Sequence, residues 1–186
     1  MSEYQYYEFC SINTPLSAKG RKEMMSLSSR AKVGTHNAFY VYNYGDFRGD
    51  VKQLILKYFD VFFYISNFGT VRLFFKYPVH QIHIEEIKKY CIKHVITIAI
   101  HGEDVLLEID INNEEGFGWT EGEGILPDLL PLYDEIKSGN YQILRLVHSI
   151  NEVLTGQEIQ ISAMFSKNMV LSEAQEAFLE CACVNV

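Results

Sequence analysis

The run Val61-Phe62-Phe63-Tyr64-Ile65 carries no charged side chain and is apolar on both faces. A strand that alternates apolar and polar residues has one wet face, whereas a strand without that alternation needs cover on both. The run is far shorter than the ~18 residues of a membrane span. It therefore reads as the central strand of a sheet, and the rest of the chain must supply its neighbours and its cover.

The flanking sequence does so. Tyr4 to Ile12 reads as a strand rich in Tyr and Phe. Asn13-Thr14-Pro15 opens a helix, with Thr14 as N-cap and Pro15 at the first helical position. Leu16, Gly20, Met24 and Leu27 share a face of it, although Gly20 costs about 1 kcal/mol against Ala there. Ala31 to Thr35 and Ala38 to Tyr44 read as short strands. Asp50 caps a helix whose Val51, Leu54, Ile55, Tyr58 and Phe59 follow helical spacing. After the central strand, Asn67-Phe68-Gly69 turns the chain into Val71 to Tyr77, with Arg72 and Lys76 on the wetter face. Ile84, Ile87 and Cys91 mark a third helix. Val95 to Ile100 and Val105 to Ile111 form a hairpin turning at Gly102, with Glu108 and Asp110 on a wet face.

This order predicts an α+β fold, a ferredoxin-like split β-α-β sandwich with a mixed sheet and helices on one face, enlarged by an extra hairpin. Residues 1–112 make that domain, 113–124 an acidic glycine-rich loop and 125–186 a helical segment. Within the segment Asp128 to Lys137 and a helix capped by Asn140 come first, and Ser172 with Gln175 fits a capping box before the last helix. The pattern is still running at Val186, so a further C-terminal part is expected.

Charge is divided along the chain. Residues 1–93 hold thirteen Lys/Arg against eight Asp/Glu, and residues 94–186 hold three against sixteen. Between His94 and Ile136 there are eleven acids and no Lys or Arg. A field of one sign steers partners of the other. Met1 is followed by a polar, aromatic run and not by a basic then apolar leader, which predicts a cytoplasmic chain with reduced thiols.

Candidate chemistry is sparse. Asp46, Arg48 and Asp50 bring charges to one loop before a helix; Arg48 there suits an anion, while the plainer reading is an Asp50 cap and an Asp46–Arg48 ion pair. The run from Gly116 to Gly124 lacks the Lys of a phosphate loop, and its carboxylates repel a pyrophosphate. Asp110, Asn112, Glu114 and Glu121 have partial calcium-loop spacing, but Glu115 stands where the sharp turn needs Gly. His80, His83, His94 and His101 lack a matching carboxylate or thiol, and Cys181 and Cys183 diverge on a helix. No metal or cofactor is predicted. Tyr4, Tyr6, Tyr40, Tyr42 and Tyr44 offer rings for stacking bases, without the basic signature of an RNA-recognition domain.

Several runs carry a resemblance: Tyr6-Tyr7-Glu8-Phe9, Leu27-Ser28-Ser29-Arg30-Ala31, Tyr44-Gly45-Asp46-Phe47-Arg48-Gly49-Asp50, Tyr58-Phe59-Asp60, Asn67-Phe68-Gly69-Thr70-Val71-Arg72-Leu73 and Gly118-Trp119-Thr120-Glu121-Gly122-Glu123-Gly124. Over residues 4–135 the chain resembles the N-terminal region of a family of uncharacterised bacterial proteins. It departs where that family has tryptophan, near Tyr44 and Phe68. The family brings no catalytic assignment. The domain also looks like the N-terminal part of the accessory protein cut by the caspase-like protease of type III-E CRISPR systems. That resemblance implies a stress-type sigma factor as partner and a protease acting on a C-terminal part.

The expectation is a non-catalytic interaction or regulatory domain. Glu114, Glu115, Trp119, Glu121, Glu123 and Asp128 would contact a basic protein partner, with no membrane and no direct nucleic-acid contact. Two alternatives stand beside it: an enzyme whose site assembles near Asp46, Arg48 and Asp50, and RNA binding through the tyrosines.

Overall fold

The computed structural model describes residues 3–113, 121–156 and 170–182. Seven strands run in chain order: β1 (Gln5–Cys10), β2 (Lys32–Val33), β3 (Asn37–Tyr42), β4 (Val61–Ser66), β5 (Thr70–Pro78), β6 (Ile96–His101) and β7 (Asp104–Asn112). Among them lie α1 (Ala18–Ser26), α2 (Val51–Tyr58) and α3 (Ile84–Lys88). After them come α4 (Leu126–Leu129), α5 (Pro131–Lys137), α6 (Gln142–Leu154) and α7 (Glu173–Cys181).

The sheet order is β2-β3-β1-β4-β5-β7-β6, which sets β4 at the centre with every one of its residues buried. All neighbouring strands pair antiparallel, so the expected mixed sheet is corrected. The reason lies in the crossovers. Each helical connection returns to a strand parallel to the one it left but skips a place, and an antiparallel strand fills the gap. Thus β3 lies between β1 and β2, β1 between β3 and β4, and β7 between β5 and β6. These are three split β-α-β units, and no two parallel strands touch.

The expectation of helices on one face is also corrected. α1, α2 and Leu16 just before α1 cover one face, where Leu16, Met24, Leu54 and Ile55 pack with Phe9, Tyr40, Phe62 and Phe74. The opposite face packs Phe63, Phe75, Tyr77, Leu107 and Ile109 against Leu129, Leu132, Ile136, Val147 and Phe178 of the later helices. Tyr77 stacks on Tyr133 at 4.4 Å and donates its hydroxyl to the Tyr133 carbonyl. A central strand without a wet face leaves no other solution.

Local chemistry moves several predicted boundaries. α1 is capped by Ser17, whose hydroxyl accepts the Gly20 amide, not by Thr14. The Leu16 amide is bound to the Thr35 carbonyl, which holds the segment around Pro15 outside the helix. Gly20 has a packing reason: a Cβ there would stand 3.1 Å from the Tyr58 ring of α2. The predicted helix from Asp128 to Lys137 is two helices, with Pro131 opening the second. Asp50 caps α2, and Ser172 with Gln175 completes the capping box of α7.

Phe63→Ala should lower unfolding stability by about 3–5 kcal/mol, because it opens a cavity in a fully buried central strand. Met25→Ala, on the exposed side of α1, should stay within about 0.5 kcal/mol. Denaturant titration of both variants checks the contrast.

Candidate interaction surface

Two groups stand out among the acids of the second half. Glu108 and Asp110, on the sheet, are paired with cations of the first half. Lys52 Nζ reaches Glu108 Oε1 at 2.7 Å, and Arg72 Nε reaches Asp110 Oδ2 at 2.8 Å. Arg72 and Asp110 are direct cross-strand neighbours, and the Arg72 guanidinium also lies over the Tyr64 ring. Burial holds the Asp110 carboxyl above the usual carboxylate range, and Arg72 draws it back down. Lys76 pairs with Asp60 on the same face. This polar strip begins where the cover of α1 and α2 ends.

The second group lies on the helices. Asp128 of α4, Asp134 of α5 and Glu173, Glu176 and Glu180 of α7 are exposed. Among the described residues none of the five has a cation partner. α7 packs on α4 and α5 through Ala174, Phe178 and Leu179. Glu173, Glu176 and Glu180 follow at i, i+3 and i+7, on the side away from those contacts. The three α7 carboxylates were not singled out by the charge count, although the i, i+3, i+7 spacing of acids was there to be read.

Of the residues expected to meet a partner, Glu121 and Glu123 are exposed at the end of the glycine-rich loop, next to Asp128 on α4. Glu123 lies 3.8 Å from Lys32, an exposed pair of little energetic weight. Glu114, Glu115 and Trp119 lie outside the described residues. Gly122 anchors the loop end. Its amide donates to the Tyr4 hydroxyl, and a Cβ in its place would collide with the Tyr6 ring. Beneath that anchor Glu8 is buried on β1 and accepts from the Tyr6 hydroxyl at 2.9 Å. Burial raises the Glu8 carboxyl, against the pull of hydrogen bonds from Tyr6 and Asn37.

Asp46, Arg48 and Asp50 all face solvent. Asp50 is spent on the Gln53 amide, and Asp46 accepts from Gln5 Nε2, with no ion pair to Arg48. The loop is pinned by Phe47, which packs on Tyr7, Phe9 and Tyr40. The three charged side chains of this loop are thus solvated and locally engaged, and they are not gathered in an enclosed pocket. The tyrosines named for base stacking are mostly covered. Tyr4 and Tyr6 lie in one core and Tyr40 and Tyr42 in the other, leaving only Tyr44 of the five exposed. Buried rings present no face to a base.

Two clefts flank the polar strip. The larger, about 780 Å³, is lined by Thr70, Arg72, His94, Asp110, Asn112 and Asn151 among others. Its hydroxyls donate to an amide oxygen and to helix carbonyls, not to a base. The smaller, about 360 Å³, is lined by Asp50, Lys52, Glu108 and Asp110, with Arg72 shared between both. Among the described residues no three His, Cys, Asp or Glu gather as a metal site. Burial pushes the Cys10 thiol up to about 11, with Glu8 and Asp60 adding to it, so it is no ready thiolate. Among the described residues no helix is long and apolar enough to cross a membrane.

No protein-family model matches the sequence, and no curated protein does. Among solved structures, the aspartate kinase of Clostridium acetobutylicum aligns at 8% identity and a TM-score of 0.26. The alignment covers 60% of this chain and 29% of that one. A likeness this low carries no functional argument.

The Glu8 carboxyl supplies a pH test. A carboxyl whose folded value is raised favours folding most when protonated, so its contribution is present at pH below the unfolded Glu value and is lost as pH rises through the raised one. Glu8→Gln keeps an acceptor for Tyr6 and removes the buried charge. It should flatten this limb of the stability–pH curve and raise the melting temperature at neutral pH. An unchanged curve would show that Glu8 is not the group responsible.

Proposed function

We propose that this chain is a ferredoxin-like α+β sandwich, extended by the β5-β7-β6 half of its sheet, that serves as a non-catalytic interaction domain for a basic protein. The carboxylate-bearing layer of α4, α5 and α7 holds the partner, with Glu121 and Glu123 at its margin. One observation carries the reading. The first half of the chain spends cations on the sheet carboxylates Glu108 and Asp110, while the five exposed helical carboxylates have no cation partner among the described residues. The helical layer thus carries a group of carboxylates without cation partners among the described residues, which would steer a cationic surface and set its orientation. The resemblance of the sequence to a sigma-factor-holding domain makes a stress-type sigma factor the partner to try first.

The test is calorimetric titration of a purified stress-type sigma factor at low and high ionic strength. Binding should weaken as salt rises, and Glu173→Lys/Glu176→Lys/Glu180→Lys should weaken it by on the order of tenfold. Those exposed substitutions should leave the melting temperature near that of the parent. Absence of binding at low ionic strength, or binding indifferent to both salt and charge reversal, overturns the reading.

A further inference from the structure

The two ends of the sheet are unlike each other. β2 is two residues long and carries Lys32, the short charged kind of edge that discourages further pairing. β6, at the other end, is Ile96-Thr97-Ile98-Ala99-Ile100-His101: six residues without Lys, Arg, Asp, Glu or Pro. β-branched residues fill four of those positions, so the strand has high pairing propensity and none of the usual protection.

The hydrogen bonds show which backbone groups are available. The Val95 carbonyl accepts from the Asp110 amide, and the register continues with Thr97 opposite Glu108, Ala99 opposite Leu106 and His101 opposite Asp104. Those residues therefore face β7. Ile96 faces the other way: it exchanges both backbone bonds with Ile92, which folds over the start of the edge. Alternation turns Ile98 and Ile100 outward as well. The Cys91 side chain engages the Ile98 backbone amide. The Ile98 carbonyl and both backbone groups of Ile100 have no backbone partner among the described residues. The Ile100 side chain is 57% exposed.

We infer that β6 is a self-pairing edge, on which a second copy of this chain adds its own β6 antiparallel across a two-fold axis at Ile100. In this register the two Ile100 residues exchange both backbone bonds. The second copy's Gly102 amide reaches the Ile98 carbonyl, and the same pair repeats on the other side of the axis. Pairing stops where Ile92 already occupies the edge. The charges suit a copy of the same chain. The middle of the window is uncharged, so no like charges meet on the axis. In this register exposed Glu103 stands opposite the uncharged Thr97 of the second copy, and the exposed charge next along that copy is Lys93, in the turn beyond Val95. A contact of this size makes a weak dimer, populated at high protein concentration. Each copy carries a net charge of −8, so salt screens the repulsion and strengthens the dimer. This is opposite in sign to the salt dependence proposed for the basic partner, and the two readings can therefore fail separately.

The experiment is sedimentation velocity of the full chain over a concentration series, with hydrogen exchange at the Ile100 amide. The parent chain should shift from monomer to dimer as concentration rises, and the Ile100 amide should become protected over the same range. Ile100→Pro removes an outward N–H that β7 does not use, and Ile100→Lys places two like charges on the axis. Both should remain monomeric at every concentration while keeping the parent's melting temperature. Thr97→Lys, three residues from the axis pair and opposite Glu108 within its own chain, should still dimerise. A parent chain that stays monomeric throughout overturns the inference, as does a dimer that survives both Ile100 substitutions.

Discussion

All six residues of β4 are buried, and a strand in that position is not satisfied by helices on a single side. Phe62 and Tyr64 point into the core made with α1 and α2, while Val61, Phe63 and Ile65 point into the core made with α4 to α7. Burying each such side chain is worth about 1.5–3 kcal/mol, so losing either layer would cost far more than a small domain can spare. The helices that follow the sheet in sequence therefore form one of its two necessary covers. Tyr77 and Tyr133 tie that cover to β5 by stacking and by a hydrogen bond.

The same arrangement sorts the charges. Cover by α1 and α2 ends near Phe74 and Leu106, and beyond it the face becomes polar. Residues at the boundary are half-dry, where an unpaired carboxylate is costly. Glu108 and Asp110 stand there, and each takes a cation from the first half of the chain. Carboxylates on the outer sides of α5 and α7 sit in water and need no such partner. The segregation of charge along the sequence thus becomes, in three dimensions, a neutralised strip on the sheet and a negative layer on the helices.

Much of this was legible in the residues. The unbroken apolar run marked β4 as central, and period two placed Arg72 with Lys76 and Glu108 with Asp110 on wet faces. That these faces are one face, with Arg72 opposite Asp110, needs the β5–β7 register, which no local pattern specifies. The N-cap of α1 was misplaced because Thr14-Pro15 and Ser17 are both sound start signals, and a tertiary bond from Leu16 to Thr35 chose between them. Gly20 looked like a weak point because helix propensity does not know about the Tyr58 ring. The tyrosines alternate perfectly well as strand residues, but alternation does not say which faces will be covered. For the candidate surface, a running sum of charge points to the loop and passes over Glu173, Glu176 and Glu180, whose common outward side is set by the packing of α7 on α4 and α5.

Uneven cover also explains why the last strand differs from the others. β1 and β3 to β5 are paired on both sides, and the two-residue β2 is too short to recruit another strand. β7 is paired on both sides too, which leaves β6 to end the sheet with Ile92 folded over its first residue alone. Had the chain needed only solubility, a single Lys at position 98 or 100 would have blunted that edge at little cost, since Ile100 contributes only part of its surface to the core. Isoleucine at both places instead leaves outward backbone groups beside an apolar side chain, the combination on which strand addition depends: main-chain bonds supply the attachment and alternate side chains the selectivity. On the two proposals, the acidic helical layer would draw cations from a distance and the uncharged edge would engage only at contact.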